Sequence, residues 1–255
     1  MSSTTGSQVR GVVVTGAGSG IGRATALRFA QLGDKVLVAE LNADGAEAVV
    51  KEIEAGGGTA RAVVGDLSDQ HTADEVISAA VEAFGGLDVL VNNAGIMDTM
   101  TATADVSDAE WERVIRINLT APFLLTRAAL PHLLARGNGA IVNTASEAAL
   151  RGSAAGTAYT VSKHGIIGLT KSTAVMYRDR GVRVNAVAPG GTLTHITDTV
   201  TFDGDGASIV GRYQENVGRV AAAEEVAAAI VFLASDAASN ISGAVLPVDN
   251  GWSAV

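Results

Sequence analysis

Short apolar runs alternate with longer amphipathic stretches along almost the whole chain. Each run is rich in Val, Ile, Leu and Ala and is followed by turn-forming or polar residues, which is typical of a buried strand. The runs predict strands at 9–15, 35–39, 59–64, 87–91, 140–144, 182–188 and 244–248. The stretches between them have helical spacing and predict helices at 21–32, 43–55, 68–84, 107–136, 156–180 and 221–234.

This alternation with short turns predicts a parallel sheet whose crossovers are right-handed helical connections. Ser68 or Asp69 can cap the third helix, and Pro122 and Pro131 predict a kink or a break in the fourth. An irregular segment rich in Thr, Gly and Asp, at about 191–216, is expected to cover a site as a lid. No change of composition marks a second domain.

Composition narrows the functional classes. The chain has 255 residues, is 47% hydrophobic and has a net charge of −9 without a Lys/Arg cluster, which argues against a nucleic-acid or anionic-membrane partner. It has no cysteine, so thiolate catalysis is excluded, and its four histidines lack metal-ligand spacing, so we expect no metal. No stretch is long and apolar enough to span a bilayer. Residues 1–10 do not resemble a secretory signal, so we expect a cytoplasmic protein.

A glycine-rich turn follows the first predicted strand and opens the first predicted helix. It departs from the G-x-G-x-x-G fingerprint, because Ile21 stands in the third glycine's place when the count starts at Gly16. Glycines let a phosphate approach the backbone, and the N-terminus of a helix attracts anions. The turn is therefore a candidate dinucleotide site, although a glycine-rich turn without a ligand is the alternative.

The end of the second predicted strand carries an acid, Glu40, eighteen residues beyond Gly22. An acid at this offset can accept hydrogen bonds from an adenosine ribose and repels a 2′-phosphate. No Lys or Arg stands at 17–19, 41 or 42 to hold such a phosphate. NAD is therefore preferred over NADP, unless Glu40 is only an exposed charge at the end of a strand.

Tyr159 and Lys163 are four residues apart on a predicted helix and so project from one face. A cation beside a phenol favours the phenolate and lowers the phenol's pKa, which is near 10 when free. Tyr159 is thus a candidate general acid/base. The same spacing also arises when a surface aromatic lies beside a solvated charge.

In their order and spacing, these motifs resemble those of the short-chain dehydrogenase/reductase family. Such enzymes carry Thr-Gly-x-x-x-Gly-x-Gly, here at 15–22, and Asn-Asn-Ala-Gly after the fourth strand, here at 92–95. Their serine stands thirteen residues before the tyrosine, as Ser146 does before Tyr159, and Asn118 and the Pro-Gly-x-x-x-Thr segment at 189–194 also match. The resemblance covers about residues 9–251. It implies an α/β fold, a doubly wound Rossmann-type three-layer sandwich with a seven-stranded parallel sheet, in a single domain over residues 1–255.

The resemblance also implies a reaction, which is hydride transfer between NAD(H) and a secondary alcohol or ketone. Tyr159 would exchange a proton with the substrate oxygen, while Lys163 would bind the nicotinamide ribose and lower the phenol's pKa. Ser146 would hydrogen-bond the substrate oxygen, and Asn118 would hold a water of a proton relay. The expected cofactor-binding residues are Gly16, Ser19, Gly20, Ile21, Gly22, Glu40, Asp66, Leu67, Asn92, Ala94, Gly95, Tyr159, Lys163, Pro189, Gly190, Thr192 and Thr194. Because members of the family are commonly homotetramers, we expect a homotetramer or a homodimer.

The substrate end is less well specified. Its expected residues are Met97, Glu147, Ala148, Arg151 and His195, and we hypothesise that Glu147 or Arg151 reaches the pocket and favours a polar substrate. Solvated loop charges are the alternative. An NADP-linked carbonyl or 3-oxoacyl reductase, an epimerase or lyase with bound NAD, and a non-catalytic dinucleotide-sensing protein are the alternatives for the whole chain.

Overall fold

The computed structural model describes residues 9–198 and 204–255. Most of the Ser/Thr-rich start and part of the predicted lid, 199–203, lie outside the described residues. The strands are β1 Gly11–Thr15, β2 Lys35–Glu40, β3 Thr59–Val64, β4 Val89–Asn92, β5 Gly139–Thr144, β6 Val182–Pro189 and β7 Val245–Val248. The helices are α1 Gly20–Gln31, α2 Ala43–Ala55, α3 Gln70–Phe84, α4 Asp108–Ile115, α5 Ala121–Arg136, α6 Thr157–Tyr177, α7 Gly204–Gly211 and α8 Ala223–Leu233.

The strands form one seven-stranded sheet in the order β3-β2-β1-β4-β5-β6-β7. Every neighbouring pair is parallel. The predicted doubly wound α/β fold is confirmed. The strand order reverses between β1 and β4, and in such sheets the ligand crevice opens at the carboxyl ends of the strands around this point.

Helices cover both faces of the sheet because the central strands are apolar on both sides. Val12 and Val14 of β1 pack into one core with residues of α1, α2 and α8. Val13, between them, packs into the second core with residues of α3 and α5. Both cores consist mostly of buried aliphatic side chains, so the sheet is a rigid frame for the turns at its carboxyl edge.

The helical region before β5 is interrupted directly before Pro122, the first of the two prolines at which a kink or break was predicted. Its interruption is a π-helical turn, Arg116–Thr120, between α4 and α5. Pro122 follows this turn in a helix that runs on without a break, so its missing N–H removes one hydrogen bond of that helix, and α5 continues through Pro131. The interruption is therefore one wider turn next to Pro122, whereas Pro131 does not interrupt α5.

The remaining boundaries agree with the pattern within a few residues. Asp69, rather than Ser68, caps α3 by accepting a hydrogen bond from the backbone N–H of Thr72 at 3.0 Å. The predicted lid contains α7 and short 3₁₀ turns at His195–Thr197 and Gln214–Val217. Among residues 9–198 and 204–255, no helix has both the length and the apolarity that a membrane span requires.

Candidate active site

A cavity of about 810 Å³ follows the carboxyl edge of the sheet from the end of β2 to the start of α6. Segments that follow all seven strands contribute to it, in agreement with a ligand crevice at the carboxyl edge of such a sheet. The predicted site residues that line it are Gly16, Ser19, Gly20, Ile21, Glu40, Asp66, Leu67, Ala94, Gly95, Met97, Ser146, Tyr159, Lys163, Pro189, Gly190, Thr192, Thr194 and His195. Predicted site residues outside the lining are Gly22, Asn92, Asn118, Glu147, Ala148 and Arg151.

The glycine turn between β1 and α1 leaves no room for side chains. Gly16 has a φ of +59°, and a Cβ there would lie 2.8 Å from the Cα of Ala94. A Cβ on Gly22 would lie 2.0 Å from the carbonyl oxygen of Gly16. Gly22 therefore does not face the cavity but lets α1 pack against the turn. Ser19 does not cap α1 through its side chain, so the first turn of this helix keeps N–H groups that can bind an anion.

The acid at the end of β2 is fixed by the main chain. One oxygen of Glu40 accepts a hydrogen bond from the N–H of Gly18 at 2.9 Å. The other accepts from Leu41 at 2.8 Å and from Asn42 at 3.2 Å. A Cβ on Gly18 would lie 3.0 Å from the Glu40 carboxylate. The glycine thus allows the acid to lie against the turn that it faces.

Asp66 follows β3 and is held by neighbours on two elements. It accepts hydrogen bonds from the side chain of Ser68 at 2.6 Å and from the backbone of the same residue, and it forms an ion pair with Arg116 at 3.0 Å. These hydrogen bonds from Ser68, together with Arg116, lower the pKa of Asp66. The contact ties the turn after β3 to the π-helical turn.

The two asparagines after β4 divide their roles in a way that differs from the prediction. Asn92, which we expected to contact the cofactor, is buried and donates from its amide to Asn143 at 2.9 Å and to Thr126 at 3.2 Å. Asn93 instead lines the cavity and donates to the carbonyl of Thr15 at 3.0 Å. The side chain of Asn92 thus joins strands inside the core, and its neighbour reaches the site.

Tyr159, in the first turn of α6, ends the cavity opposite Glu40. Its side chain is 6% exposed, and its phenol lies close to the side chain of Ser146, which also lines the cavity. Ser146 caps a 3₁₀ turn, Glu147–Ala149, and accepts a hydrogen bond from the N–H of Ala148 at 3.1 Å. The structure thus brings the two predicted hydroxyl donors together at one point of the cavity wall.

Lys163 lies one turn after Tyr159 and is buried. Its ammonium donates to the carbonyl of Thr144 at 2.9 Å and lies 5.4 Å from the centroid of the Tyr159 ring. Burial lowers the pKa of Lys163 to about 8. The cation therefore lies over the ring of Tyr159.

The expectation that Lys163 acidifies the phenol is wrong for this arrangement. Burial, the largest cause, raises the pKa of Tyr159 to about 12; the hydrogen bond from Ser146 opposes the shift, and the charge of Asp98 adds to it. A buried phenol loses the water that would stabilise its anion. The sequence showed the four-residue spacing but not the burial of the pair.

Asn118 supports the site from behind the cavity wall. It lies in the π-helical turn and is 1% exposed. Its amide accepts from the N–H of Ile96 at 2.8 Å, donates to the carbonyl of the same residue at 2.9 Å, and donates to Ser162 at 3.2 Å. It therefore fixes the loop after β4 to α6, close to Lys163.

Asp98 is a functional candidate that the sequence analysis missed. It lines the cavity, is 1% exposed, and accepts hydrogen bonds from the backbone N–H groups of Met100, Gly156 and Tyr159. The bond from Tyr159 measures 2.9 Å. A carboxylate at the start of a helix is stabilised by the helix dipole. Asp98 thus holds the beginning of α6 and, with it, the backbone of Tyr159.

The predicted substrate residues after Ser146 do not reach the cavity. Glu147 is 1% exposed and forms an ion pair with Arg151 at 2.5 Å, behind the serine turn. Ala148 is likewise buried. Trp252, which the sequence analysis did not consider, lines the cavity instead. Nothing near Trp252 in the sequence indicates this, because its position depends on contacts with residues about a hundred positions away.

Comparison with known proteins agrees with this geometry. Residues 16–253 match a family model described as enoyl-(acyl carrier protein) reductase. The chain is 39% identical to 3beta-hydroxysteroid dehydrogenase 2 of Eggerthella lenta over 95% of this chain and 94% of that protein. It is 43% identical to cis-4-hydroxycyclohexanecarboxylate dehydrogenase of Sinomonas cyclohexanicum over 96% and 97%, respectively. It is 40% identical to cyclohexanol dehydrogenase of an Acinetobacter species over 94% and 93%.

Solved structures resemble the whole fold. Levodione reductase superposes with a TM-score of 0.89 at 35% identity, covering 96% of this chain and 98% of the other. A putative NAD(P)-dependent gluconate 5-dehydrogenase from Beutenbergia cavernae, with NADP bound at low occupancy, superposes with a TM-score of 0.85 at 43% identity, covering 96% and 97%.

Proposed function

The chain belongs to the short-chain dehydrogenase/reductase family, and on this premise we propose that it oxidises a secondary alcohol on a carbon ring, or reduces the corresponding ketone, with NAD(H). It is an oxidoreductase that acts on a small molecule, as its relatives are. One observation carries the proposal: hydroxyl donors from Ser146 and Tyr159 meet at one end of a cavity whose other end is the glycine turn beside Glu40.

The residues at the glycine end fit a dinucleotide. The close approach of Gly16 and Gly18 to their neighbours gives a cradle that a Cβ would fill, and the first turn of α1 offers unpaired N–H groups. Glu40 presents a carboxylate that is already fixed by three backbone N–H groups, so it is ready to accept from ribose hydroxyls and to repel a 2′-phosphate. The cofactor, when bound, would supply or accept the hydride.

The protein's own residues handle the proton. We assign Tyr159 as the group that exchanges a proton with the substrate oxygen, and Ser146 as the second donor that orients this oxygen. A phenol with a pKa of about 12 keeps its proton at neutral pH, which suits it to act as the acid in ketone reduction. Alcohol oxidation requires the Tyr159–Lys163 pair to lose one proton first. The lowered pKa of Lys163, about 8, makes this loss available at mildly alkaline pH.

Three relatives named above support a ring-bearing substrate, because each name describes a hydroxyl on a steroid or a cyclohexane ring. Apolar side chains of Met97, Ile196, Val217 and Trp252 line the cavity and would accept such a ring. Glu147 is buried, and neither Glu147 nor its ion-pair partner Arg151 lines the cavity, which removes the earlier reason to expect a polar substrate.

An NADP-linked reductase is the second candidate, favoured by the NADP bound to the Beutenbergia cavernae relative. Glu40 argues against it, since a 2′-phosphate would meet a carboxylate.

We also propose a homotetramer. It is supported by the exposed aromatic side chains of Trp111 on α4 and Phe123 on α5, 40% and 43% exposed, and light scattering would measure it.

A panel of alcohols tests the proposal. Cyclohexanol, 4-hydroxycyclohexanecarboxylate and a 3β-hydroxysteroid are compared with gluconate and 2-hexanol, each with NAD and with NADP, by the absorbance of the reduced cofactor. We expect turnover of the ring alcohols with NAD. Turnover confined to gluconate or to NADP would contradict the substrate class or the cofactor, and substrate conversion without net NADH formation would indicate an epimerase or lyase. Tyr159→Phe is the control and should lose about a thousandfold in kcat while still binding NADH.

A further inference from the structure

Three polar residues near Ser146 have no role in the proposed reaction: Glu147, Arg151 and Asp249. Glu147 is 1% exposed and Asp249 is 9% exposed, and neither lines the cavity. Burying charges is costly unless they are paired or hydrogen-bonded. Their arrangement therefore requires an explanation.

The two acids form a carboxyl pair. Asp249 accepts hydrogen bonds from the N–H of Gly251 at 3.0 Å on one oxygen and from the N–H of Ser253 at 2.7 Å on the other. Glu147 lies close enough to Asp249 for each carboxyl group to shift the pKa of the other, and no N–H or hydroxyl group donates to either oxygen of Glu147. Two carboxyl groups bond only if one carries a proton, and the oxygens of Asp249 already act as acceptors. Of the two acids, Glu147 is therefore the one placed to carry this proton and to donate it to Asp249.

The pKa directions of the pair agree with this assignment. Burial, opposed by Arg151 and assisted by the negative charge of Asp249, raises the pKa of Glu147. Burial alone would also raise the pKa of Asp249, but hydrogen bonds from Ser253 and Gly251 outweigh it and lower this pKa. The acid with the better donors is thus the one that stays ionised.

Arg151 provides a second attachment. Its Nε lies 2.5 Å from Glu147 Oε1, although the N–H does not point along this contact, and its Nη1 donates to the carbonyl oxygen of Val255 at 2.8 Å. The segment 249–255, here called the closing segment, is therefore attached at both ends to the turn that follows Ser146. Gly190 leaves it space, since a Cβ there would lie 2.8 Å from the Cβ of Asp249.

Trp252 stands between these two attachments. It begins the 3₁₀ turn Trp252–Ala254, is 5% exposed, and lines the same cavity as Ser146. The backbone before it takes left-handed conformations, with φ of 54° at Asn250 and 84° at Gly251. Such a short segment is not stable by itself, so contacts elsewhere must fix the indole.

We propose that Glu147 and Arg151 are positioning residues that fasten the closing segment to the serine turn and thereby fix Trp252 as a wall of the substrate end of the cavity. The inference rests on the proposed function, because it takes the Ser146 end as the place where the alcohol binds. Substrate affinity then depends on a carboxyl pair that touches neither substrate nor cofactor. Dinucleotide binding at the far end does not depend on it.

Kinetics of four variants test the proposal, with cyclohexanol or whichever panel alcohol is turned over. Glu147→Ala should raise KM about tenfold and change kcat less than threefold, because the wall loosens while Ser146 and Tyr159 remain. Glu147→Gln keeps a neutral donor to Asp249 and should stay within about twofold of the parent. Trp252→Ala should raise KM as Glu147→Ala does, and the double variant should be no worse than Trp252→Ala alone. A loss confined to kcat, or KM increases that multiply in the double variant, would overturn the proposal.

A readout without turnover separates this proposal from the proposed function. The chain has two tryptophans, so a Trp111→Phe background leaves Trp252 as the only one. In that background Glu147→Ala should shift the emission to longer wavelength and increase quenching by acrylamide, whereas Glu147→Gln should not. Unchanged emission in Glu147→Ala would refute the attachment even if no alcohol is oxidised. If Glu147→Ala does not fold, Arg151→Met removes the contact with Val255 instead, and the same shift is expected.

Discussion

The two ends of the cavity are built from different kinds of contact. At the Glu40 end the contacts are made mostly by backbone groups. Glu40 accepts hydrogen bonds from backbone N–H groups of residues 22, 1 and 2 positions away in the sequence. At the Ser146 end side chains join distant parts of the chain. Asp98 holds Tyr159 across 61 residues, and Arg151 holds Val255 across 104.

This difference has a functional consequence. Contacts made by the backbone of a glycine turn tolerate almost no side chain, so the dinucleotide end cannot change without losing its form. Contacts between distant side chains can be replaced one at a time, so the substrate end can change its shape while the cofactor end stays intact. Substitutions at each end should therefore affect different measurements.

Lys163→Met should give the largest effect, at the border between the two ends. We expect kcat for alcohol oxidation to fall by about a thousandfold. In the parent, the rate should rise through pH about 8, where the Tyr159–Lys163 pair loses its first proton, because burial lowers the pKa of Lys163 to about 8. In Lys163→Met the amine is gone, so the proton lost before alcohol oxidation must come from the Tyr159 phenol, whose pKa is about 12. The increase of the oxidation rate with pH should therefore move to higher pH. A pH–rate profile with the same midpoint in both proteins would contradict this.

Gly22→Ala tests the rigid end. The new Cβ would lie 2.0 Å from the Gly16 carbonyl oxygen, so backbone must shift. We expect a loss of about 3 kcal/mol in the free energy of unfolding together with loss of NADH binding. Gly168→Ala is the matched control, because a Cβ on this exposed glycine of α6 would have no atom within 4 Å. Alanine is the better helix former, so this change should raise the free energy of unfolding by about 1 kcal/mol. Urea unfolding and NADH fluorescence measure both, and normal NADH binding by Gly22→Ala would refute the packing argument.

Glu40→Ser tests cofactor choice at the same end. Removing the carboxylate removes the repulsion of a 2′-phosphate, and we expect the ratio of kcat/KM for NAD over NADP to fall about tenfold. KM for the alcohol should not change, because the substrate end is untouched. An unaltered cofactor ratio would show that Glu40 does not select the dinucleotide.

Glu147→Gln should have the smallest effect, and it concerns stability at the substrate end. The pKa of Glu147 is raised by burial, so its contribution to stability is complete at acidic pH and is lost as pH rises through that raised pKa. Glutamine cannot ionise. The variant should match the parent in the free energy of unfolding at pH 5 and exceed it at pH 9 by no more than about 1 kcal/mol, the net contribution of one buried hydrogen bond, and thermal unfolding measures this as a higher Tm at pH 9. Equal Tm values at pH 9 would argue that Glu147 is not the protonated partner.

The contrast between the two ends also explains what the sequence could predict. Strand positions, the glycine turn, Glu40 and the spacing of Tyr159 and Lys163 depend on local pattern, and the structure places them as expected. The fold followed from the same local information, because apolar runs that alternate with helices allow few arrangements.

Features that depend on distant contacts were missed or misplaced. Asn92 and Asn93 are adjacent and alike, and only the packing of α5 decides that the first is buried at Thr126. Glu147 was expected in the pocket because its partner Asp249 is remote in the sequence. The pKa of Tyr159 depends on burial, which no spacing reveals.

The π-helical turn at Arg116–Thr120 has a consequence for how such a site can arise. A π turn contains one residue more than an α turn, so it corresponds to a single inserted codon in an otherwise continuous helix. Deleting one residue there would restore regular winding and preserve α4 and α5, but it would rotate Asn118 by about 100° away from Ile96. The support of the loop after β4 could thus be gained or lost in one genetic step, without rebuilding the sheet.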